Sequence, residues 1–118
     1  MNPSYEKIWQ LYVESWKVRS KDEKLALFER CLHRDSIYTD PLTQAKGWAA
    51  LVDYMLDFHR QIPGGHFVTT WFLTHHQRSA AKWEMRNGEN IVLGEGVSFG
   101  MYDDEHKLLS MTGFFETK

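Results

Sequence analysis

Apolar positions recur every three to four residues through the first half of the chain and every two residues in the second half. Tyr5, Ile8, Trp9, Tyr12 and Trp16 form one aromatic face of a first helix, with Asn2 placed to cap it and Pro3 in its first turn. Ser20-Lys21-Asp22-Glu23 has the pattern of a capping box and opens a second helix with Leu25, Phe28, Cys31 and Leu32 as its stripe. Arg34-Asp35-Ser36 breaks that helix, and a short extended run follows at Tyr38-Thr39-Asp40. Pro41 holds the preceding residue in extended geometry. Behind Gly47, a third helix carries Trp48, Leu51, Val52, Met55, Phe58 and Ile62, and Pro63-Gly64-Gly65 ends it.

From His66 to His76 the chain is rich in β-branched and aromatic residues and reads as a strand. Ala81, Trp83 and Met85 then alternate with Lys82, Glu84 and Arg86, giving one apolar and one charged face. Asn87-Gly88 is a hairpin signal. In the strand from Ile91 to Tyr102, Gly94, Gly96, Ser98 and Gly100 share one face, opposite Leu93, Val97, Phe99 and Met101. Asp103-Asp104-Glu105-His106 makes a turn, and Leu108 to Glu116 reads as the closing strand. Three helices followed by an antiparallel meander predict an α+β fold. Glycines along one strand face let a sheet curl and leave room above its concave side, and they also relieve packing against the third helix.

The length of 118 residues bounds this picture to a single domain, 1–118. Five Trp, five Tyr and seven Phe are enough for a thick core, a ligand cavity or a subunit interface. A net charge of −2 without a basic block argues against nucleic-acid and membrane-surface partners. The lone Cys31 excludes a disulfide framework within the chain. No signal-peptide pattern opens the sequence, so a cytoplasmic location is expected. The histidines lack ligand spacing, and no metal is expected.

Among candidate functional groups, Asp40 is a carboxylate fixed against proline at the rim of the enclosed space; Asp-Pro pairs also initiate ordinary turns. His75 and His76 are adjacent on a strand, so one of them at most looks inward. His75 is the inward candidate for acid–base work beside Asp40, and a polar hairpin end is the alternative. Trp16, Tyr38, Met55 and Phe58 from the first half, with Trp83, Met85 and Phe115 from the second, are expected in the pocket wall or core. Trp71 or Phe72 must point away from the concave side, which suggests a subunit contact.

The order and spacing of Gln10-Leu11-Tyr12-Val13, Leu27-Phe28, Tyr38-Thr39-Asp40-Pro41, Gly47 and Lys107–Phe115 resemble the nuclear transport factor 2-like superfamily, in its SnoaL-like and ketosteroid isomerase-like branch. That resemblance implies three N-terminal helices on a strongly curved antiparallel sheet, forming a cone with an apolar pocket. It places Asp40 at the catalytic base and Tyr12 at the oxyanion-hole phenol of ketosteroid isomerases. Ser98 stands where those enzymes have a second, acidic donor. Met55, beside Tyr54, stands where they have a supporting tyrosine. Gly113 and Phe115 fall on the pocket wall. The implied activity is isomerisation, cyclisation or dehydration of a small apolar carbonyl compound without a cofactor, in a homodimer formed through the sheet. The alternative on the same fold is a non-catalytic ligand-binding or dimerisation module, which a cone filled by its own aromatics would favour.

Overall fold

A computed structural model describes residues 2–117. Helix α1 (Tyr5–Lys17) begins at Ser4, whose hydroxyl accepts from the Lys7 amide at 3.1 Å. The cap is thus Ser4 and not Asn2: the backbone is still extended at Ser4, and Pro3 lies ahead of the helix. Helix α2 (Lys21–Cys31) is capped by Ser20, which accepts from the Glu23 amide at 3.1 Å and donates to the Glu23 carboxylate at 2.9 Å.

Strand β1 (Leu32–Asp40) follows α2 without a gap. Arg34-Asp35-Ser36, expected to break the helix, instead lies within β1, where the pairing with the last strand slips between Leu32 and Ile37. Strand β2 (Thr43–Lys46) was not anticipated, because its polar sequence has no alternation to read. It pairs antiparallel with β1 across the tight Pro41-Leu42 turn. Helix α3 (Trp48–Gln61) then crosses the sheet.

Strands β3 (His66–His75), β4 (Arg78–Arg86), β5 (Val92–Tyr102) and β6 (Leu108–Phe114) form the expected antiparallel meander. The six strands run in the order β2-β1-β6-β5-β4-β3. The sheet is mixed and not purely antiparallel, because β1 joins β6 in parallel, with Tyr38 opposite Met111 and Thr39 opposite Thr112. A register shift between Thr69 and Trp71 adds local twist to β3. Phe28, Leu32, Leu51, Met55, Leu108 and Met111 are fully buried between helices and sheet. Among the described residues no helix is long and apolar enough to cross a membrane.

A buried lysine clamps the helices to one another. The Lys24 ammonium donates to the Ser15 and Val18 carbonyls at 2.8 and 2.6 Å, at the electronegative end of α1, and lies 2.8 Å from Nε2 of His59 on α3. Burial draws its pKa down to about 8, while the three acceptors match the three hydrogens of the ammonium. Gly64, with φ of 73°, lets the turn after α3 lie directly on Gly88 of the β4–β5 hairpin, and the Gly88 amide donates to the Pro63 carbonyl at 3.2 Å.

Gly96 permits the closest approach within the sheet. A Cβ there would press on the Trp83 ring and lie 2.6 Å from the Phe114 carbonyl oxygen. Gly96→Ala is expected to destabilise the fold by about 1–3 kcal/mol through overpacking. Gly94→Ala, whose Cβ would meet only Met85 Cε at 3.9 Å, should change stability little. Urea unfolding of the two variants side by side checks this; equal midpoints would show that the sheet relaxes freely at Gly96.

Candidate active site

The end of β1 builds the polar corner of the site. Successive side chains on a strand alternate faces, so Tyr38 and Asp40 project to the same side. Asp40 precedes Pro41, and its carboxylate folds back onto the turn, where Oδ1 accepts from the amides of Leu42 at 2.8 Å and Thr43 at 3.1 Å. Oδ2 accepts from the Tyr38 phenol at 2.6 Å and from the Tyr54 phenol, on α3, at 2.8 Å. Asp40 is 8% exposed, and its four donors suit an ionised carboxylate, which only accepts.

These residues lie on the wall of an open cavity of about 420 Å³ between α1, α3 and the concave sheet. Gly113 on β6 separates Asp40 from Ser98: a Cβ on Gly113 would sit 3.7 Å from Asp40 Cβ and 3.4 Å from Ser98 Oγ. Ser98 pairs with Gly113 across β5 and β6 and accepts the Trp83 indole N–H at 2.9 Å. With that oxygen occupied as an acceptor, the Ser98 proton remains to donate.

Tyr12 lines the same cavity from α1 and is almost fully buried. Burial raises its phenol pKa far above the ordinary value, against the opposing effect of Trp16, and the nearby Cys31 thiol and Asp40 carboxylate push it further up. The Tyr38 phenol is raised by burial, by Tyr12 beside it, and by its bond to Asp40. The Tyr54 phenol is raised by burial, then by the bond to Asp40 and its charge. Three phenols are thus held protonated around one carboxylate.

Of the residues expected from the sequence, Asp40, Tyr12, Ser98, Trp16, Tyr38 and Phe58 line the cavity, as do Trp83, Met85, Gly113 and Phe115. Met55 does not. It is fully buried in the core under α3, and its neighbour Tyr54 reaches Asp40 instead. The spacing Leu51-Tyr54-Phe58-Ile62 carried that signal, since it continues one helical stripe. His75 is also excluded. The left-handed turn at His76 and Gln77 carries the end of β3 into solvent, and His75 Nδ1 lies 3.2 Å from that of His76, away from the cavity. Phe67 and Thr69 on β3 line the cavity without having been anticipated. Among the described residues, no three His, Cys, Asp or Glu side chains converge as a metal site would require.

The sequence model of the SnoaL-like domain matches residues 10–108. The chain belongs to the SnoaL-like family. Its fold is similar to that of a candidate isomerase of this family from Agrobacterium tumefaciens, with 18% identity, 96% of this chain and 97% of that one covered, and a TM-score of 0.87. TerC, co-crystallised with polyporic acid, shares 11% identity over 95% of this chain and 91% of its own, with a TM-score of 0.76. An NTF2-like protein from Cytophaga hutchinsonii shares 7% over 98% and 93%, with a TM-score of 0.74. At these identities the likeness concerns the fold. A comparison with curated proteins found no match.

The raised phenols of this SnoaL-like domain have a measurable consequence. Each folded-state pKa exceeds the ordinary phenol value of 10.0, so Tyr12, Tyr38 and Tyr54 contribute stability that is present below pH 10 and lost as pH climbs beyond it. Their tyrosinate absorbance should appear together with alkaline unfolding, in one cooperative step. Gradual ionisation of all the tyrosines near pH 10 in a chain that keeps its circular dichroism would contradict the site geometry.

Proposed function

We propose that this SnoaL-like protein binds a compact, largely apolar molecule in the cavity and moves a proton on it without a cofactor, with Asp40 as the base. The observation that carries this reading is an open cavity with a buried carboxylate on its wall; a cone filled by its own aromatics would have left Asp40 no substrate. For a carbonyl compound, Asp40 Oδ2 takes a proton from the carbon beside the carbonyl, and the electron pair moves onto the carbonyl oxygen. Ser98 and Tyr12 donate hydrogen bonds to that oxygen. As the proton arrives on Oδ2 the Tyr54 hydroxyl turns its own proton away from that oxygen, and protonated Asp40 holds the substrate's proton until it returns to another atom of the substrate, which gives isomerisation, cyclisation or dehydration. The main-chain donors on Oδ1 keep the carboxylate in place throughout.

The four hydrogen bonds on Asp40 favour a second reading, in which the carboxylate only positions the tyrosines and the protein binds without turnover. Asp40→Asn separates the two readings. The Asn oxygen can still take the Leu42 and Thr43 amides, and its NH₂ can donate to the phenols, so the fold survives while the base is removed. A thermal-shift screen of small ketones, phenols and steroids should find ligands. One at a hundred times its dissociation constant adds about 2.7 kcal/mol, on the order of ten degrees for a domain of this size. Turnover of such a ligand by the wild type and its loss in Asp40→Asn supports catalysis, whereas binding unaccompanied by turnover in either chain supports the second reading. Tyr54→Phe should cost about 1.5–3 kcal/mol of stability, the range for a hydrogen bond to a charged group.

The proposal includes a homodimer in the cytoplasm. Trp71, Leu73, Phe99, Met101 and Phe114 are exposed on the convex sheet face, with Phe99 packed edge-on to Phe114. Apolar surface of this kind supports burial against a second copy. Light scattering should give twice the 13.9 kDa chain mass, reduced to the single mass by Phe99→Lys. A single mass for the wild type would remove the dimer.

A further inference from the structure

Among the described residues, the charged side chains that line the cavity are all acidic. Asp40 lies on its buried wall, while Asp57, Glu95 and Glu116 line its more exposed part. Among the described residues, no Lys, Arg or His lines it. The nearby Arg60 reaches Asp57 at 3.3 Å, but both side chains are more than half exposed, and water screens that pair. Among the described residues, Asp40 is a buried carboxylate answered by hydrogen bonds, with no counter-cation in the cavity lining.

About half of the other lining residues are aromatic. Trp16 is at its centre, with ring centroids 5.6 Å from Tyr38, 6.1 Å from Tyr54, 5.6 Å from Phe58 and 5.4 Å from Phe67. Trp83 extends the wall, 5.1 Å from Phe67. Aromatic faces carry the negative part of the ring quadrupole, and desolvated cations bind to them. An anionic ligand would meet carboxylates and ring faces with no cation to pair with, and a buried unpaired charge is costly. A positively charged ligand meets carboxylates and ring faces of the opposite sign.

We propose that the molecule taken by this cavity carries a cationic nitrogen, an ammonium or quaternary ammonium group, on a compact apolar frame. The inference rests on the reading of the cavity as the ligand site and names the class of ligand: the nitrogen sits against the ring surfaces that face the cavity and supplies the counter-charge that Asp40 lacks. By the same charges, carboxylates and sulfonates should bind more weakly than the cation.

The test compares three molecules of one shape in the wild-type chain by calorimetry: (4-hydroxyphenyl)trimethylammonium, its carbon isostere 4-tert-butylphenol, and the anion 4-hydroxybenzenesulfonate. The ammonium should bind about 2- to 30-fold more tightly than its isostere, the span of cation–π contributions from exposed to desolvated sites, and the sulfonate should not bind. In Asp40→Asn the ammonium should lose more affinity than the isostere. The comparison within the wild type stands even where that variant does not fold. If the isostere binds as well as the ammonium, or the sulfonate binds best, the cation proposal is overturned while the cavity remains a ligand site. Binding of none of the three would overturn both.

Discussion

One carboxylate joins the parts of this protein that have to meet. Asp40 ends β1, turns the chain into β2 through two main-chain amides, and receives phenols from its own strand and from α3. Hydrogen bonds to a charged acceptor are among the stronger ones, and a buried carboxylate without them would be untenable. The position of α3 over the sheet, the orientation of Tyr38 and Tyr54, and the width of the cavity beside them therefore share one constraint. The same group that organises the corner is the one reactive anion buried in the cavity wall, so a substitution that tests its chemistry has to keep its hydrogen bonds.

Much of the frame was legible because local signals agreed with the fold. The Ser20–Glu23 cap, the break at Pro63-Gly64-Gly65, and the alternation through Trp83 and Met85 each act over a few residues, and each was realised. The Tyr38-Thr39-Asp40-Pro41 run marked the corner because proline and strand alternation fix its geometry locally. What could not be read depends on distant partners. The polar β2 is a strand only because β1 offers it an edge. The choice between Tyr54 and Met55 turns on one helical step, about a hundred degrees of rotation, which decides between a phenol at Asp40 and a thioether in the core. His75 was misplaced because the length of β3 outruns the core, and strand periodicity says nothing about where burial stops.

Lys24 shows the same limit from the other side. In the sequence it is an ordinary polar position near the start of a helix, yet it is among the most buried side chains in the fold. Its acceptors are carbonyls at the end of α1 and an imidazole on α3, none of them visible as a motif. A charge can be buried when its hydrogen bonds are supplied by main chain already fixed by other packing.

The parallel pairing of β1 with β6 sets an order of events. Every other strand in the sheet finds its partner by a short hairpin, whereas β1 must wait for the strand at the far end of the chain. Contacts between segments so distant in sequence carry a large loop-closure cost and are slow to form. Gly113, on that last strand, also lies between Asp40 and Ser98. The cavity therefore depends on the slowest pairing in the sheet, because Asp40 on β1 and Ser98 on β5 are brought together only through β6.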